Sequence, residues 1–172
     1  MTMASMEEMV VPDPPGLEYA LTVSLDLDHR FGAVRTAQMS SGFAYGFIGV
    51  AGGWFAGPRI RGAVLEGGGD WPTIRADGVA VFDAKYVLRA EDGTEIVLHN
   101  RGLRVDRELT VDGETFVPGV ERAFREPEGV DFRTTPMFDV EAGPHDWLAT
   151  RLFVGRGERT ETGNLIHYYA VS

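Results

Sequence analysis

The stretch from Gly52 to Gly102 carries Arg61, Asp70, Trp71, Asp83, Tyr86, His99, Asn100 and Arg101, most of the chain's candidate chemistry. A carboxylate or an imidazole there could move a proton, and a phenol or guanidinium could hold the oxyanion that forms when a carbonyl compound loses one. Alternation puts Val81, Asp83, Lys85 and Val87 on one face of a strand and Phe82, Ala84, Tyr86 and Leu88 on the other. Asp83 and Tyr86 therefore cannot both point inward without a bulge, and periodicity leaves open which set does. His99 and Arg101 are one residue apart and share a face. The catalytic candidates are Asp83 or His99 as proton carrier, with Tyr86 and Arg101 for the oxyanion. A plainer reading makes Asp83 a salt-bridge partner of Lys85, Arg101 or Arg133.

Arg61, Asn100 and Arg133 are candidates for binding a substrate's polar end, since a guanidinium fork suits a carboxylate. Trp71, Phe138 and Trp147, with Phe82, Phe153 and Tyr168, could form an apolar wall, or simply fill a core. His29, His99, His145 and His167 show no metal-ligand spacing, so no metal is expected. Gly67 to Asp70 reads GGGD, but a P-loop's Lys and following helix are missing. Ser40 and Ser41 lie outside any Gly-x-Ser-x-Gly elbow.

These residues sit on a run of alternating segments broken at Gly, Pro and Asp-Gly, which is the pattern of consecutive antiparallel strands. Strands are expected at Leu17–Leu27, Gly42–Ala51, Trp54–Phe55, Ile60–Leu65, Trp71–Ala76, Val79–Ala90, Thr94–Arg101, Asp131–Val140, Arg151–Arg159 and Asn164–Val171. Glu66–Asp70 is expected as a loop. Asp77-Gly78 and Asp92-Gly93 bracket the long central strand as hairpin turns, and Asp112-Gly113 marks a further short hairpin. Gly119–Arg125 and Pro144–Thr150 are expected as short helical segments. The expected fold is all-β: a single closed antiparallel up-and-down β-barrel over residues 17–172, after a leader of residues 1–16.

The chain has 172 residues, a net charge of −10 and no cysteine. That acidity argues against nucleic acid or an anionic membrane surface as partner, and the lack of cysteine removes disulfides and thiolate chemistry. The first residues carry Glu7 and Glu8 where a secretory signal needs positive charge, so a cytoplasmic protein is expected. The apolar segment Phe43–Val50 leads us to expect a homodimer.

Four ordered blocks, GGWFAGPRIRGAVLEGGGDW, ADGVAVFDAKYVLRAEDGTEI ending in HNRG, DFRTTPMFDV and HDWLATRLFVGRGER, resemble domain-of-unknown-function family 3237, from about Leu17 to the C-terminus. The resemblance implies a single-domain, calycin-like β-barrel, the family having no general activity assigned to it. Carried over, the family's recurrent positions fall on Arg61, Asp70, Trp71, Asp83, Tyr86, Asn100, Arg101, Arg133, Trp147 and Arg159. The chain departs from the family at Ala149, where Asn is common, and in the segment before Gly52.

The functional expectation is a cofactor-independent enzyme working by proton transfer inside the barrel: a cyclase, isomerase or lyase on a small, largely apolar carbonyl or carboxylate compound. The alternatives are a non-catalytic, lipocalin-like carrier and a structural oligomeric module.

Overall fold

Alternating side chains along most of the chain leave each strand with one apolar face, and the only way to bury every such face in one sheet is to roll it shut. The computed structural model describes residues 11–28, 34–106, 110–111, 114–115 and 130–172. Its strands are β1 (Leu17–Leu27), β2 (Val34–Arg35), β3 (Ala44–Ala56), β4 (Arg61–Val64), β5 (Gly69–Asp70), β6 (Thr73–Ile74), β7 (Ala80–Ala90), β8 (Glu95–Asp106), β9 (Thr110–Val111), β10 (Glu114–Thr115), β11 (Val130–Val140), β12 (Phe153–Arg159) and β13 (Gly163–Val171). The barrel is closed, with eight antiparallel staves. Their order is β1, β3, a stave shared by β4, β5 and β6, then β7, β8, β11, β12 and β13, which pairs back onto β1. Neighbours in space follow one another along the chain, which is the expected up-and-down meander.

Closure rests on β1, which pairs with β13 on one edge and β3 on the other. Gly53 makes the second pairing possible. Its φ of 140° suits glycine, and a Cβ there would run into the Ser24 and Leu25 backbone. β3 consequently runs unbroken through Gly52 and Gly53, joining the two expected segments Gly42–Ala51 and Trp54–Phe55.

Two local expectations are corrected. Gly69 and Asp70, expected in a loop, form β5 between β3 and β7. Gly68 leaves no room for a side chain beside Tyr86, nor Gly69 beside the Phe47 ring, so the glycines allow a close backbone approach. The expected strand Trp71–Ala76 shrinks to β6, because Trp71-Pro72 interrupts the ladder. Pro144–Thr150 contains a single 3-10 turn at Asp146–Leu148. Gly119–Arg125, Asp112-Gly113 and residues 1–10 lie outside the described residues.

The β3–β4 and β7–β8 turns gather at one end, the base, with the 3-10 turn closing it. Trp147 and Leu148 are buried there with Ile60, Phe138 and Phe153. Arg59 lies over the Trp147 ring, its guanidinium carbon 4.3 Å from the centroid. Small inward residues make room for large ones: Gly155 stands between Thr134 and Tyr168 in the register. A Cβ on Gly155 would be 2.8 Å from the Tyr168 ring. Gly155→Ala is therefore expected to destabilise the barrel by about 1–3 kcal/mol in urea unfolding. Gly143→Ala, which meets nothing within 4 Å, should leave the midpoint unchanged.

Candidate functional site

On β7 the buried set is Ala80, Ala84, Tyr86, Leu88 and Ala90, with Phe82 partly buried against the core. On β8 it begins Ile96, Leu98 and Asn100. The register extends this parity around the wall. Asp70 is opposite Ala84, Arg104 opposite Ala80, Thr134 opposite Gly102, and Arg159 opposite Asn164. The half of the barrel towards the base holds Leu88, Leu98, Phe138 and Phe153. The other half brings together Asp70, Asn100, Arg104, Thr134 and Arg159, with the Tyr86 and Tyr168 phenols between the halves, 3.5 Å apart.

This parity corrects the proton-transfer candidates. Asp83 and His99 pair with each other on the outer wall, Asp83 Oδ1 against His99 Nε2, and the Asp83 side chain is half exposed. That hydrogen bond holds the Asp83 carboxyl below its ordinary range. Arg101 is exposed on the same outer face, directly across from Asp83. Arg133 is also exposed and pairs with Asp131 at 2.9 Å. None of these four can act inside the barrel, since inward and outward positions alternate strictly here. Arg61 lies outside at the base, paired with Glu91 at 3.0 Å. Trp71 is exposed and packs at a tilt against Phe47, with centroids 4.7 Å apart. Trp147 and Phe138 are buried, Trp147 in the base and Phe138 against Phe153 and Tyr168. Tyr86 and Asn100 point inward, as candidates for the interior must.

Asp70, given no catalytic role from its sequence context, is the acidic group of the interior cluster. Its Oδ1 accepts the Asp83 backbone N–H at 2.9 Å, where β5 gives way to β6. Burial raises its pKa from the ordinary 3.8 to about 6, against the opposing pull of that N–H and of Arg159. Arg159 donates to Asn164 Oδ1 at 2.9 Å. Burial and the neighbouring Arg104 push its pKa down, and Asp70 pushes it back up. Burial pushes Tyr86 and Tyr168 above the ordinary phenol range, so both hold their protons at neutral pH. Side by side, then, stand a carboxyl poised to gain or lose a proton, a guanidinium and protonated phenols. Such a set can move a proton and receive an oxyanion. Among the described residues, no group of three or more His, Cys, Asp or Glu could hold a metal ion, and no helix is long and apolar enough to cross a membrane.

The signal for the inward face was present. Extended to Arg89, the odd positions of β7 carry three charges, Asp83, Lys85 and Arg89, whereas the even positions carry none. Asp70 gave no comparable signal, since GGGD reads as a loop.

A carboxyl whose folded pKa lies above its unfolded one leaves stability untouched below about pH 4, where both states are protonated. It weakens the fold as pH rises through 6, where the buried group must ionise. Asp70→Asn is thus expected to stabilise the barrel at pH 8 by on the order of 1–3 kcal/mol. The gain should vanish near pH 4, as read from paired thermal melts.

The family model described as a protein of unknown function, DUF3237, matches residues 15–171. A UPF0311 protein of Clostridium acetobutylicum is 30% identical over 125 residues, covering 73% of this chain and 76% of that protein. Among solved structures, a β-barrel-like protein of Acinetobacter baumannii superposes with a TM-score of 0.78 at 24% identity, covering 95% of this chain and all of that one. A Penicillium herquei protein described as an enzyme superposes with a TM-score of 0.68 at 21% identity, covering 95% and 99%. With the family model matching it almost end to end, the chain belongs to the DUF3237 family.

Proposed function

We propose that the protein is an enzyme that takes a small, largely apolar carbonyl or carboxylate compound into the barrel and moves protons on it, as a cyclase, isomerase or lyase. The observation that carries this is the carboxyl of Asp70, set inside the wall with a pKa of about 6 near Tyr86 and Arg159. A carboxylate kept from full hydration is a stronger base than one in water, yet at this value it is still mostly ionised at neutral pH.

In the simplest step, ionised Asp70 takes a proton from the carbon next to a carbonyl. The C–H pair becomes the new C=C bond, and the carbonyl pair moves onto oxygen. That oxygen then needs a donor, and Arg159 or the protonated Tyr86 can supply one. Return of the proton to a different carbon isomerises the substrate, while attack of the enolate, or loss of water from it, gives ring closure or elimination. The apolar residues below the cluster would exclude bulk water from such an intermediate. A barrel of the same fold described as an enzyme adds support.

Exchange of the α-protons of 2-tetralone in D2O, followed by proton NMR, tests this without knowledge of the natural substrate. The protein should accelerate exchange, with a rate that rises as pH passes about 6 and Asp70 ionises. Asp70→Asn should remove roughly 10²–10⁴-fold of that acceleration, and His99→Gln, on the outer wall, should remove none. Exchange no faster than in buffer, or equally fast with Asp70→Asn, would leave a non-catalytic carrier as the better description.

A further inference from the structure

Asp70, Ala84 and Asn100 lie in one cross-strand row, Asp70 opposite Ala84 and Ala84 opposite Asn100. Two strand spacings separate the outer members, about 10 Å between backbones, and only the methyl of Ala84 stands between them. Asn100 is 3% exposed. Its Oδ1 is buried and, among the described residues, has no hydrogen-bond partner. Buried amide oxygens are nearly always paired, because leaving one bare forfeits the hydrogen bond it had in water.

One row further from the base Phe82 lies opposite Gly102, and in the row beyond that Phe132 lies opposite Arg104 on the far side of β8. Gly102 has no side chain to part them, so the two rings meet with centroids 4.9 Å apart and planes 32° from parallel. The pair forms an apolar ledge on the same wall as the bare amide oxygen, with aromatic faces against which another flat ring can pack.

Building on the lumen as the proposed site, we infer that Asn100 selects the ligand: a flat, hydroxylated two-ring molecule lies along the Phe82–Phe132 pair and donates its O–H to Asn100 Oδ1. Its far edge then reaches towards Asp70, the span of the row matching two fused six-membered rings. Asn100 in this role reads the substrate and does not take part in the proton transfer.

Calorimetric titration of the full-length protein with 2-naphthol and with 2-methoxynaphthalene tests it, since methylation removes the donor and leaves the flat ring system as it was. The naphthol is expected to bind about tenfold more tightly, a usual margin for one buried hydrogen bond. In Asn100→Leu the ether should bind as before and the preference should disappear. With the unaltered protein, the Asn100 side-chain amide resonance should shift on adding naphthol and stay in place with the ether, a reading that stands even if Asn100→Leu fails to fold. Equal affinities, tighter binding of the ether, a preference that survives Asn100→Leu, or no binding of either compound would each overturn the assignment. Asp70→Asn should keep the preference for naphthol while losing exchange activity, so the two readings fail separately.

Discussion

Everything in this molecule depends on β1 holding two neighbours at once. Without its hydrogen bonds to both β13 and β3, the sheet would keep two open edges and its apolar face would stay wet. Gly53 is the point at which that closure is sterically allowed. Once closed, eight staves enclose a space only a few side chains wide, so each inward position constrains those across from it. The alternation of Ala84, Gly102 and Gly155 with Phe82, Tyr86 and Tyr168 follows from this. Bulk on one stave requires its absence on the next.

The same enclosure separates two kinds of charge. Outside, Arg61 with Glu91, Arg89 with Glu95 and Asp83 with His99 are exposed pairs in water, each worth little to stability. Inside, Asp70 is short of solvent, and that burial outweighs the backbone N–H groups and the nearby arginine that favour its ionised form. A carboxylate thirteen residues away on the other face, Asp83, has a pKa shifted in the opposite direction. Burial at Asp70 therefore costs the fold stability once the group ionises, and it holds the carboxyl well above the ordinary carboxylate range.

The architecture was legible because period-two alternation and the Asp-Gly turns act locally. Leu17–Leu27 was read to the residue as β1, and the expected meander order is the observed one. The interior was harder. Whether Asp83 or Tyr86 points inward depends on one step of parity, which the charge on Lys85 and Arg89 could have decided. Asp70 was beyond reach for another reason. Its orientation is fixed by a two-residue strand squeezed between β3 and β7, so it depends on distant backbones and not on its neighbours in sequence. Tyr86 and Asn100 were candidates whose face the sequence left open, and the register turns both inward, while Phe138, read as pocket wall or core, is buried against Phe153 and Tyr168. Arg159 was singled out only by family resemblance, and its inward position follows from its register with Asn164.

The tryptophan at the base, stoppered from outside by Arg59, has one more implication. Because its indole is shared between the 3-10 turn and the β3–β4 turn, neither loop can drift without dragging the other, so wear at one would loosen the floor beneath Phe153 as well.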